Sequence, residues 1–425
     1  MMKLSNWLKT FSGEAKDNPN LMFVQLEAVF LGILFAADPF LAVFLARLGA
    51  TNLQIGLLSS MPAITGLLFA IFIGNYLQNR RKIIPWYIGP RLFTVIAYFL
   101  TGFIPFLLPR QYAVIAILVI WAVATLPSII LTLTFNVVMN AVSGPTGRYE
   151  LMARRWAILG VVTSVVVAAS GWLMDRFPFP ANFEFAFILL SVTGGLGLLF
   201  GRRIQLPENL HPSPVNRKPL GEKVRAYIAM LKSAPAFLSF TTKRFVYYFG
   251  FMLAIPLYPI YLVREVHASN TWIGYISTVS NAIIVIGYFF WMKQSKRRSN
   301  HTILLWATTT LAFFPALFAS LHQVELIVVL AGVFSFFQAA MDLVFFDELM
   351  KTVPPEASIN FISFAQSTYY VTAVVAPLLG SFLAEQIGLP AALVTSTVLR
   401  LLGASLFYFG KRKSGADKAG IPIKN

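Results

Sequence analysis

Twelve times along its 425 residues the chain runs for about 20 residues or more on mostly apolar side chains, interrupted by short segments of Gly, Pro, Asn, Lys and Arg. In lipid every backbone N–H and C=O must find a partner within the protein, so such runs cross a bilayer as helices. The pattern predicts helices over roughly 21–48, 53–78, 83–108, 111–142, 151–175, 183–201, 235–263, 271–293, 302–321, 324–352, 357–387 and 389–410. With 57% hydrophobic and 12% charged residues and a mean hydropathy of +0.71, composition agrees. The fold class read from this is an all-α polytopic membrane protein.

A net charge of +17 would suit nucleic acid on a soluble chain, but here the basic residues fall in short clusters between apolar runs. If the helices alternate in direction, 28 of the 34 Lys and Arg lie on one side, Lys243, Arg244, Arg154 and Arg155 among them. Four lie on the other (Arg47, Arg110, Arg176, Arg264), and Arg91 and Arg400 fall inside helices. The positive-inside rule then places both termini in the cytoplasm of a multi-pass protein of the cell membrane. Residues 1–20 read as a polar cytoplasmic lead rather than a removed signal peptide. Cysteine is absent, which excludes disulfides, thiolate metal sites and thiol nucleophiles. Four His without metal-ligand spacing, and no phosphate loop or nucleophile motif, make an enzyme the least supported class; no metal or cofactor is expected.

The opening hairpin recurs. About 217 residues separate Pro39 from Pro256, and Leu45, Arg47 and Gly56 answer to Leu262, Arg264 and Gly274. Phe135, Met139 and Val142 answer to Phe346, Met350 and Val353 at a spacing of 211, and Thr163 and Gly171 to Thr372 and Gly380 at 209. The chain therefore divides into a lead (1–20), a first six-helix bundle (21–201), a central loop with an amphipathic basic stretch (202–234), a second bundle (235–410) and a tail (411–425). That loop reads as a strap on the inner leaflet, drawn to anionic lipid.

This 6+6 repeat, the long central loop, Gly56 opening the second helix, a basic turn after it, and Pro377 with Gly380 in the eleventh helix resemble the major facilitator superfamily (MFS) of secondary transporters. The loop signature is shortened: Gly74 is followed by Gln78 where the family has Asp, then by Asn79, Arg80, Arg81 and Lys82. The family's Arg of helix four has no match between Tyr112 and Val142, and its Gly-Pro signature of helix five is reduced to Gly160 and Gly171. The resemblance implies two bundles rocking about a central site, alternately open to each side, with helices one, four, seven and ten lining the cavity.

Ionisable groups inside membrane helices ask for a reason, because insertion scales charge about 2.5–3.5 kcal/mol for each. Glu27 and Asp38, eleven residues apart, point the same way on helix one. Asp38 reads either as a protonatable coupling or substrate-binding group or as a packing carboxylate, and Glu27 as the same or as a group snorkelling to the inner interface. Asp342 in helix ten is the third coupling candidate. The cavity candidates are Ser128, Thr132 and Asn136 on a polar stripe of helix four, Gln338 on helix ten, Tyr247, Phe251 and Tyr258 along the proline-broken helix seven, and Asn281 and Gln366 on helices eight and eleven. Tyr258 reads equally well as an interfacial belt residue. The gating candidates are Gly74, Arg80, Arg81, Asp347 and Glu348, while Arg91 and Arg400 read as packing-pair or snorkelling residues, with Arg91 balancing a carboxylate of its own half as the alternative. Lys243 and Arg244 read as interfacial.

The function expected is secondary active transport of a small molecule by alternating access, proton-coupled, with export of amphipathic compounds favoured over uptake. The alternatives are a sugar or metabolite uptake permease, or a lipid-handling or scaffold protein without coupled transport. The expected partners are a small-molecule substrate, H+ and the lipid bilayer, with no nucleic acid and the chain acting as a monomer.

Overall fold

The apolar runs fold as helices. A computed structural model of the chain describes residues 19–78, 82–206, 231–354 and 358–409, so the lead, Arg80 and Arg81, most of the central loop and the tail lie outside the described residues. Twelve helical stretches are long and apolar enough to cross a membrane. They are α1 (Pro19–Leu48), α2 (Asn52–Phe69), α3 (Ile84–Leu107), α4 (Arg110–Ser143), α5 (Glu150–Met174), α6 (Ala181–Gly201), α7 (Pro235–Arg264), α8 (Asn270–Gln294), α9 (Asn300–Ser320), α10 (Val324–Thr352), α11 (Asn360–Ile387) and α12 (Leu389–Phe409). An even number of crossings puts Pro19 and Phe409 on the same side, called here the termini side.

Four helices are broken among the described residues, three of them at or just before a proline: α1 at Ala36–Ala37, α7 at Ile255–Pro256 and α9 at Phe313, while α6 breaks at Leu196 with no proline beside it. Pro39, Pro256 and Pro315 lack the N–H that would continue the ladder, and the turn before each tightens to i→i+3 bonding. Ala37 N–H donates to Leu34 O at 3.2 Å, Ile255 to Met252 O at 3.3 Å and Phe313 to Thr310 O at 3.2 Å. The first two breaks fall on the repeat-related prolines.

Each half packs around its own buried helices, and a further apolar core runs through both. The halves cross at α2 against α11 and at α5 against α8. The repeat-related glycines permit this: a Cβ on Gly56 would collide with Ser381 of α11, and one on Gly274 would sit 3.0 Å from Val167 O of α5. One turn further in, Ser60 donates to Val374 O at 3.0 Å and Thr278 to Ser164 O at 2.9 Å, again reciprocally. Ser60 and Thr278 stand eight residues inside α2 and α8, about 12 Å at 1.5 Å per residue. The hydrogen bonds seen between the halves among the described residues lie at that depth or nearer the side away from the termini. Among the described residues the halves are thus joined by hydrogen bonds on the far side.

Candidate functional site

The α1 break sets Asp38 as the first residue of a new helical segment, Asp38–Leu48, followed by Pro39. A carboxylate there faces the free N–H groups and positive dipole end of that segment. Asp38 is the single exposed residue between Phe23 and Leu48, although protein surrounds it and Ala36, Ala37 and Phe40 beside it are buried. Its accessible surface therefore opens to space within the protein. No hydrogen bond or ion pair engages its side chain among the described residues.

Glu27 does the opposite. It is 2% exposed, enclosed by three helices of the first half, and does not snorkel. Arg91 Nε of α3 lies 3.0 Å from Oε1 in a geometry that makes an ion pair rather than a hydrogen bond. Arg155 Nη1 of α5 reaches Oε2 at 3.2 Å, and Tyr87 Oη donates to Oε2 at 2.7 Å. Arg155 also donates to Val24 O at 2.8 Å, and Arg91 to Tyr87 Oη at 2.7 Å. The expected balance of Arg91 against a carboxylate of its own half is what the structure shows. Arg155, assigned to the basic loops on sequence, is instead 2% exposed inside the bundle. A cavity of about 30 Å³, room for a water, lies beside Glu27, Arg91 and Thr94.

The second half gathers its own set of polar groups on α7, α8, α10 and α11. Asp342 of α10 accepts from Tyr288 Oη of α8 at 2.9 Å and from Gln338 Nε2 at 2.8 Å. Tyr248 of α7 packs edge-on to Tyr369 of α11 at 5.7 Å and against Phe345 at 5.4 Å. Arg244, read as interfacial from sequence, sits within α7, its guanidinium 5.1 Å from the Tyr248 ring centroid and its Nε buried without a hydrogen-bond partner. Arg244 and Asp342 both act electrostatically on Tyr248 and Tyr369, which groups these residues around one space. Tyr248 thus takes the place expected of Tyr247. Tyr247 is fully buried, donating to Thr308 O at 3.1 Å, because its helix turns that face into the bundle core. Phe251 and Tyr258 are half-buried beneath Arg400, whose guanidinium stands 4.8 Å from the Phe251 ring and donates to Tyr258 Oη at 3.1 Å, so Tyr258 is not a belt residue.

Among the other candidates, Thr132 and Asn136 are exposed on α4 and Ser128 is half-buried. The two hydroxyls and the Asn136 amide bond to carbonyls of their own helix, at 2.6 Å for Ser128, 2.9 Å for Thr132 and 3.3 Å for Asn136. Asn281 is half-buried and Gln366 exposed. Asp347 and Glu348 lie at the termini end of α10, where Lys351 pairs with them at 2.5 and 3.1 Å and Asn300 of α9 donates to Asp347. Gly74 lies in the helical run Asn52–Gln78 that extends α2, and Arg80 and Arg81 lie outside the described residues.

On the far side the halves are latched. Arg47 donates to Ala268 O at 2.8 Å, while its repeat partner Arg264 donates to Asn52 Oδ1 at 2.6 Å and to Ala50 O. Asp175, after α5, accepts from the backbone N–H groups of Asn270 and Thr271 at 2.8 Å each, capping α8 of the other half. Burial alone would raise the Asp175 carboxyl above its ordinary 3.8, but the Thr271 and neighbouring hydrogen bonds outweigh it and hold the group below that value.

Residues 244–422 match the family model described as Major Facilitator Superfamily. No curated protein sequence matches the chain. Among solved structures, it is similar to the nucleoside transporter NupG (TM-score 0.66, 12% identity, 92% of this chain and 99% of that one). It is also similar to a bacterial metal transporter (0.65, 12%, 92% and 97%) and to the peptide transporter POT in complex with sulfate (0.63, 13%, 91% and 94%). The second half thus matches the Major Facilitator Superfamily model, and the chain over nearly its whole length has the twelve-helix fold of these solved transporters.

Proposed function

We propose that the chain is a proton-coupled secondary transporter that carries an amphipathic small molecule by alternating access, with Asp38 as the coupling group. One observation carries this: a carboxylate within α1, at a helix break, exposed among buried neighbours and without a partner among the described residues, whereas Glu27 on the same helix is paired with two guanidinium groups. An unpartnered carboxylate inside a membrane protein is costly unless it cycles between protonated and ionised forms during transport. The aromatic wall of Tyr248, Phe251 and Tyr369 suits a ring-bearing compound. Export of an amphipathic compound is the favoured direction, on the strength of the aromatic wall with its isolated carboxylates.

The test is flux of a substrate panel in proteoliposomes with and without an imposed pH gradient. Asp38→Asn is expected to abolish gradient-driven flux while leaving the thermal unfolding midpoint within about 2 °C of the unsubstituted chain, since an exposed carboxylate contributes little packing. Normal gradient-driven flux in that variant would sink the coupling assignment. An uncoupled scaffold or lipid-handling protein predicts no gradient-dependent flux of any compound.

A further inference from the structure

The repeat pairs Glu27 of α1 with Arg244 of α7, 217 residues apart and both in the termini half of their helices. In the first half that charge is consumed: two guanidinium groups and a phenol enclose Glu27. In the second half it is left open. No carboxylate lies within ion-pair distance of Arg244 among the described residues, and its Nε is buried without a partner. The Tyr248 ring, 5.1 Å away, holds the guanidinium in place, and Nε is left without a hydrogen-bond partner. Across the same space Asp342 is occupied only by neutral donors, Tyr288 and Gln338, so neither charge neutralises the other.

A guanidinium edge made of Nε and one Nη presents two parallel donors to a carboxylate, and an aromatic-backed Arg with a free Nε is built for that pairing. Resting on the transport reading above, we propose that Arg244 anchors a carboxylate on the substrate, whose ring packs against Tyr248 and Tyr369. A donor group on the substrate, where present, meets Asp342. The preferred cargo is therefore an aromatic or otherwise amphipathic monocarboxylate or zwitterion rather than a lipophilic cation.

Four probes of one shape separate the possibilities: 3-phenylpropionate, its methyl ester, phenylalanine and 2-phenylethylamine, tested on the purified full chain for protection against thermal unfolding. The two carboxylates are expected to protect and the ester and amine not to. Arg244→Gln should raise the half-maximal concentration of the acids about tenfold or more, the loss of a charge-assisted bidentate contact, and Arg244→Lys should restore part of it. The acid–ester contrast in the unsubstituted chain does not depend on any variant folding. Equal protection by acid and ester, protection unchanged by Arg244→Gln, or protection by none of the four would overturn the proposal. The reading it rests on fails separately: if, after subtraction of entry into protein-free liposomes, the ester is carried as fast as the acid, the anchor is wrong and transport stands, whereas a broad panel with no protein-dependent flux removes transport itself.

Discussion

Glu27 holds α1, α3 and α5 together through one carboxylate, and its surroundings carry an excess of charge. Two guanidinium groups and one carboxylate, each at most 5% exposed, leave a net positive cluster inside the first bundle. Taking one partner from a buried pair costs about 3–5 kcal/mol, because the remaining charge keeps its desolvation penalty without compensation. Glu27→Gln is therefore expected to lower stability by about that amount, measured as the shift in detergent unfolding, far more than Asp38→Asn. Removing the surplus cation as well, in a Glu27→Gln/Arg155→Gln double variant, should return part of the loss, and the coupling between the two is read from the cycle. Single losses that simply add would show that the three groups do not act as a unit. Arg155 was not legible in the sequence because it stands beside Arg154 at the end of a basic loop, where hydropathy assigns every cation to water. Arg244 was hidden the same way beside Lys243; its one signal was the repeat spacing to Glu27.

At the scale of the elements, the breaks in α7 and α9 are served by α12. Pro315 takes away the N–H that Leu311 O would accept, and the tightened turn before Pro256 leaves Phe251 O free, since Ile255 N–H goes to Met252. Arg400, 1% exposed and without a carboxylate, donates to Leu311 O at 3.1 Å and to Phe251 O at 3.4 Å. One turn earlier on α12, Ser396 donates to Gly250 O at 2.7 Å, and Thr397 Oγ1 accepts from Ala316 N–H at 3.0 Å. A buried cation costs several kcal/mol, but each carbonyl left unpaired in its absence costs about 1–3 kcal/mol, which is why the side chain is retained. Arg400→Lys keeps the charge yet lacks the fork that spans two carbonyls, so it is expected to unfold at lower temperature, nearly as low as Arg400→Met. Pro315→Ala returns an N–H to Leu311 O and should recover part of the Arg400→Met loss; no recovery would mean that Arg400 acts through packing alone. The helices themselves were readable from apolar run length, and Pro256 and Pro259 marked α7 as broken. What α12 does there was not, because a hydropathy pattern does not show which freed carbonyl a distant side chain will meet.

For the whole molecule the question is what holds the far side shut. Arg47 and Arg264 are the same residue of the repeat, and each reaches into the loop after the other half's first helix, so one sequence element makes both strokes of a pseudo-two-fold clasp. Ser60 and Thr278 repeat the exchange one layer deeper, and Asp175 caps α8 across the seam. This reciprocity is why the 217-residue spacing is legible in the sequence: the two loops are alike because each meets its own image. Rocking to the opposite state must break both strokes together, and a population ratio moves about tenfold for every 1.4 kcal/mol taken from the closed state. The absence of cysteine lets a single introduced thiol report the change, for example Ser381→Cys, whose side chain is fully buried against Gly56 when the seam is closed. Arg47→Ala/Arg264→Ala is expected to raise far-side labelling of that thiol by about tenfold or more, and either single substitution by less than half of that in logarithmic terms if the strokes cooperate. Acid should act in the same direction. Because hydrogen bonding holds the Asp175 carboxyl below 3.8 in the closed state, its contribution is complete above that value and is lost as pH falls through the depressed one, so seam opening, read by hydrogen exchange of the Asn270 and Thr271 amides after correction for the intrinsic pH dependence of exchange, should climb in the acid range below about pH 4. The climb should vanish in Asp175→Asn, which cannot titrate; if it persists there, another group controls the seam.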